Sequence, residues 1–91
     1  MTSLFSLGQV VSTPGALETL EALGVAPITL LHRHISGDWS DMDTEDQRAN
    51  RRAIKEGSRV FSSYLIADDT KIWIITEADR SSTTILLPDE Y

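Results

Sequence analysis

The chain has no cysteine, so neither a disulfide framework nor a thiolate metal site can form. No apolar run exceeds a few residues, far short of the roughly 20 that span a bilayer. Residues 1–11 lack the basic start of a secretory signal, and Gly8 and Gln9 interrupt their apolar character, so cytoplasmic residence without a membrane partner is expected. Basic residues are scarce: 8 Lys and Arg stand against 14 Asp and Glu, a formal net charge of −6. Because phosphate contacts supply most nucleic-acid affinity, this balance argues against broad duplex binding. It favours another protein, one with a basic surface, as partner. A Gly-rich phosphate loop and a Gly-x-Ser-x-Gly elbow are both missing, which leaves nucleotide-loop and serine-hydrolase chemistry without support. No cofactor is expected.

What the chain does have is an ordinary globular composition, 41% apolar and 24% charged over 91 residues, enough for a single α+β domain spanning residues 1–91. Leu7, Val10 and Val11 give residues 6–12 the look of a short strand. Thr13-Pro14 reads as an N-cap followed by proline at the first helical position, and Gly24 lies where a helix would end. Between them Leu17, Leu20 and Leu23, with Ala16, predict the buried side of a first helix. Pro27 opens a second, with Ile28, Leu31 and Ile35 as its buried stripe; on that wheel His32 lies beside the stripe and His34 well away from it. Ser36-Gly37 stops it. Asp43 or Thr44 caps a third helix closed by Gly57. Its acids come first (Glu45, Asp46) and its bases later (Arg48, Arg51, Arg52, Lys55), an order that suits the helix dipole. Only Ala49, Ala53 and Ile54 offer it apolar contact.

From Arg59 the period changes to two. Residues 60–66, 72–77 and 83–87 predict a three-stranded antiparallel meander, with the first strand free to join its edge. In the middle strand Ile72 and Ile74 share one side, Trp73 and Ile75 the other. The second apolar side calls for cover by the N-terminal segment, by a partner, or by a second copy forming a homodimer around Trp73. Asp89, Glu90 and Tyr91 read as an acidic tail after Pro88.

Three stretches carry a resemblance. They are Gln9-Val10-Val11-Ser12-Thr13-Pro14-Gly15-Ala16-Leu17, then Arg33-His34 with Gly37-Asp38-Trp39, and finally Lys71-Ile72-Trp73-Ile74-Ile75-Thr76-Glu77-Ala78-Asp79-Arg80-Ser81. Together they resemble a family of small bacterial proteins carried on plasmids and other mobile or accessory DNA, mostly called plasmid-related and sometimes labelled restriction-modification subunits. The chain departs from that pattern at Ser40, where glycine is usual, and at Asp69, where Asp-Gly would make a hairpin turn. The resemblance implies a mobile-element setting and no particular chemistry.

Residues 33–46 hold the densest group of chemically useful side chains. His32 and His34 sit about 160° apart on a helix and cannot share one ion, so no metal site is expected. Asp38, Asp41, Asp43, Glu45 and Asp46 lack the order of a calcium-binding loop. A sharper grouping is His34 as an acid/base oriented by Asp38, with Arg33 and Arg80 holding a phosphate, which would make a small toxin-like enzyme acting on RNA or a nucleotide. The plainer account has Asp38 fixing the turn, Trp39 filling a small core and His34 finishing a helix. The leading expectation is a non-enzymatic interaction module from accessory DNA, interfering with a host defence system or regulating a mobile-element function. Its binding surface would comprise Trp39, Asp41, Asp43, Glu45 and Asp46, with Glu77, Asp79 and Arg80 at the second hairpin.

Overall fold

Local chemistry sets the helix ends. The Thr13 hydroxyl accepts the Ala16 N–H at 3.1 Å, and the Asp43 carboxylate accepts the Asp46 N–H at 2.8 Å; each satisfies a donor that the first helical turn leaves free. Gly24, Gly37 and Gly57 end the three helices in the left-handed conformation. In this computed structural model, which describes residues 3–91, the elements are β1 (Gln9–Ser12), α1 (Pro14–Leu23), α2 (Pro27–Ser36), α3 (Thr44–Glu56), β2 (Val60–Ala67), β3 (Thr70–Thr76) and β4 (Ser82–Leu86). A 3-10 turn, Pro88–Glu90, follows β4. Among the described residues no helix is long and apolar enough to cross a membrane.

The strands form one sheet in the order β1-β4-β3-β2. β2, β3 and β4 make the expected antiparallel meander, whereas β1 joins β4 in parallel, so the sheet is mixed. The helices intervene between β1 and the meander, and that crossover returns the chain with β4 running alongside β1 in the same sense. β1 begins later than residue 6. Gly8, at φ 62°, presses against the Arg80 and Ser81 carbonyls where no side chain fits, and this bends the chain into the edge position.

The helices cover one side of the sheet. Ala16, Leu20, Leu30, Leu31, Tyr64, Ile72, Ile74 and Ile85 form the larger core cluster, and Trp39, Met42, Ala53 and Val60 a smaller one. The helix faces differ from the periodic reading. On α1, Ala16 and Leu20 are buried, but Leu17 and Leu23 remain exposed. On α2, Ile28 is 59% exposed and the buried side is Leu30, Leu31 and His34. That rotation brings His34 inward because the sheet offers hydroxyls to both its ring nitrogens. On α3, Ala53 is buried and Ala49 is exposed; Asn50, three residues before Ala53 on the same face, supplies the other inward contact.

The second side of the sheet is covered in part by the chain itself. Phe61 meets Trp73 edge-on with centroids 4.9 Å apart, and Tyr91 meets Trp73 at 5.9 Å. The expected acidic tail is instead a folded turn. The Glu90 carboxylate accepts from the Thr13 hydroxyl at 2.6 Å and from the Leu87 N–H at 2.8 Å, which seats residues 88–91 against the sheet. Ile75 and Leu86 are buried on this side.

Candidate functional site

The grouping of Arg33, His34, Asp38 and Arg80 does not assemble as a catalytic centre. Asp38 turns away from the imidazole and bonds Arg33 Nε at 2.9 Å. That hydrogen bond holds its carboxyl below the usual range against the effect of partial burial, with Ser40 helping. Arg33 lies over the Tyr64 ring at 4.4 Å, and its guanidinium also reaches Asp41 at 3.5 Å. Burial pushes the Tyr64 hydroxyl up to about 12, and it donates to the Asp38 carbonyl at 3.0 Å. Arg80, at φ 61°, donates to the carbonyls of Ser58, Ala53, Glu77 and Ala78. It ties the β3–β4 turn to the end of α3.

His34 has no solvent exposure. Its Nδ1 lies 2.5 Å from the Ser62 hydroxyl and its Nε2 2.8 Å from the Thr76 hydroxyl. The chain continues from Thr76 to Thr83 at 2.7 Å, and Thr83 ends it on the Leu7 carbonyl at 2.7 Å. A carbonyl only accepts, so Thr83 spends its proton there and must accept from Thr76. Thr76 in turn accepts from His34 Nε2–H. Nδ1 is therefore the bare nitrogen and accepts from Ser62. The Ser62 oxygen receives the Trp39 indole N–H at 2.8 Å. Every member is satisfied in one direction of donation, with the imidazole neutral. Burial, and then the charge of Arg80, lower its pKa to about 4. Trp39, expected on the binding surface, is instead 1% exposed. Its indole needs the Ser62 acceptor, and Arg51 covers its ring at 5.8 Å.

The acids of the α2–α3 loop do gather. Asp41, Asp43 and Asp46 line an open groove of about 410 Å³ with Met42, Phe61, Ser63, Lys71, Trp73 and Pro88. Asp41 is fixed by the Leu65 N–H at 3.0 Å as well as by Arg33. Asp43 and Asp46 stand at the start of α3, where the helix dipole favours negative charge. The exposed Glu45 lies between them in sequence without lining the groove. Glu77, Asp79 and Arg80 lie elsewhere. Glu77 pairs with Arg59 at 3.3 Å, and Asp79 accepts the Ser81 N–H at 3.0 Å. Among the described residues, no group of His, Asp and Glu side chains is arranged to hold a metal ion.

The aromatic floor of the groove was only partly foreseeable. Trp73 stood out as a second apolar side of β3, but Phe61 and Ser63 come from β2 and Pro88 from the turn after β4, and the pairing of β2 with β3 that sets them beside Trp73 has no motif in the sequence. The floor and rim together present aromatic surface and three carboxylates, with the Lys71 side chain also at the lining. Comparison of the chain with family models, curated proteins and solved structures finds no match in any of the three.

Proposed function

We propose that the protein is a non-enzymatic interaction module that receives a basic segment of another protein in the groove between the α2–α3 loop and the outer side of the sheet. The observation that carries this reading is the convergence of Asp41, Asp43 and Asp46 on a floor containing Phe61 and Trp73. A lysine or arginine entering there meets carboxylates at the rim and aromatic surface beneath. The net charge of −6 draws basic partners toward the whole molecule. The resemblance to proteins of plasmids and accessory DNA suggests the setting: a partner from a host defence system or from mobile-element control. The enzyme reading, with His34 acting on RNA or a nucleotide, is supported less well, since both imidazole nitrogens are engaged inside the core.

The test is affinity capture from nuclease-treated bacterial lysate with the wild type, Asp46→Lys and Trp73→Ser side by side. A basic protein retained by the wild type and lost with both variants is the expected result. A partner held equally by all three, or recovery of RNA alone from untreated lysate, would sink the groove as the binding surface.

A further inference from the structure

The sequence treats the two edges of the sheet differently. Along β2 part of the outward backbone is already occupied. The Asn50 amide donates to the Phe61 carbonyl at 2.6 Å and accepts the Phe61 N–H at 3.1 Å, so one side chain imitates a neighbouring strand. Asp41 takes the Leu65 N–H, and the β2–β3 register shifts between Leu65 and Ala67. Side-chain caps, charges and irregularities of this kind keep an edge from pairing with other chains. The β1 edge has none of them. Gln9, Val10, Val11 and Ser12 carry no charge, and Val10 and Val11 are 41% and 43% exposed.

The direction of the free backbone groups follows from the ladder. Gln9 N–H donates to the Ser81 carbonyl and Thr13 N–H to the Ile85 carbonyl, so Gln9, Val11 and Thr13 turn toward β4. Alternation then turns the N–H and C=O of Val10 and Ser12 outward, along the edge that, among the described residues, no other strand of the sheet occupies.

We infer that this edge pairs with β1 of a second copy, antiparallel, about a two-fold axis at Val11. Such an axis sets Val10 opposite Ser12 of the other copy, and Ser12 opposite Val10. These are the outward-facing residues, so each pair exchanges both of its backbone hydrogen bonds. An axis between Val10 and Val11 would oppose an outward residue to an inward one and form no such pairs. The strand is thus self-complementary in register.

Charge selects the same edge. Two copies at −6 each repel, so a contact that brings no charges together is opposed least. β1 is uncharged, whereas the β2 side presents Asp41, Asp43 and Asp46. The two-fold axis also brings both α1 helices to one side of the joined sheet. The joined sheet would leave one acidic groove at each far end.

The absence of native cysteine gives a direct test. Opposed residues of a non-hydrogen-bonded antiparallel pair have Cα atoms about 4.5 Å apart, inside the range a disulfide bridges. Val11→Cys is expected to form an intermolecular disulfide about tenfold faster than Val10→Cys or Leu65→Cys under mild oxidation. Sedimentation of the wild type should show the mass doubling as concentration rises from low micromolar to submillimolar. Val11→Asp should move that transition to about tenfold higher concentration, with an unchanged far-ultraviolet spectrum because the side chain is exposed. A wild type that stays monomeric throughout, or Val11→Cys linking no faster than Leu65→Cys, would overturn the inference. Neither result bears on the groove, which each copy carries whole.

Discussion

Protonating His34 sets a new donor against a hydrogen-bond chain that already has a direction. Nδ1–H would point at a Ser62 oxygen that also receives the Trp39 N–H, and the serine proton would lose its acceptor. Stability should follow. The imidazole takes up its proton near its ordinary 6.5 in the unfolded chain, but only at about 4 in the folded one. Between those values the unfolded state binds more protons, so stability is complete above about pH 6.5 and falls as the pH drops toward 4. The loss totals about 3 kcal/mol. Urea unfolding at pH 7.0, 6.0 and 5.0 measures it, and His34→Gln should flatten the dependence over that window. A wild-type profile as flat as the variant's would count against a neutral buried imidazole. Ser62→Ala, which leaves the indole N–H and Nδ1 without partners, should cost about 2–4 kcal/mol. Ser63→Ala, on the opposite side of β2, should stay within about 0.5 kcal/mol. None of this was legible from the helical wheel, where a histidine counts as polar and is turned outward. The hydroxyls that accept it lie 28 and 42 residues further along the chain.

Element boundaries were legible because their causes are local. Thr13 caps a helix through a residue three positions on, and Asp43 does the same. The meander announced itself through alternation, each strand carrying its own pattern. Which side of each helix faces the sheet, and whether β1 runs with or against β4, depend on contacts between distant segments. Those were misread or left open. Of the expected surface, Asp41, Asp43 and Asp46 converge because one short loop carries them, whereas Trp39 in the same loop turns inward. α3 shows how an element with little apolar surface stays attached. Ala53 is buried and Ile54 partly so, but the two Asn50 hydrogen bonds fix the helix to the edge of β2. Asn50→Ala should destabilise the protein by about 1–3 kcal/mol. It should also speed amide exchange at Phe61 more than at Ile74, which sits in the middle of the sheet. Equal acceleration at both amides would mean that Asn50 acts on global stability alone and does not guard the edge.

At the scale of the whole molecule, the acid excess acts in opposite senses on the two surfaces, and salt separates them. Binding of a basic segment in the groove draws on attraction between carboxylates and cations at an exposed site. Raising salt from 0.1 M to 1 M shortens the screening length from about 10 Å to about 3 Å, and groove affinity should fall by about tenfold or more. Pairing through β1 brings together two molecules of like net charge at an edge that carries no charge. Screening removes repulsion there and leaves the backbone hydrogen bonds and apolar contacts intact, so self-association should strengthen over the same range. Titrating an oligolysine peptide while following Trp73 fluorescence reads the first effect. Trp39, fully enclosed, contributes a constant background. Sedimentation at matched salt reads the second. If self-association weakened with salt alongside peptide binding, the contact between copies would be ionic and would not run through β1. If peptide binding were indifferent to salt, the carboxylates of Asp41, Asp43 and Asp46 would not be what holds the partner.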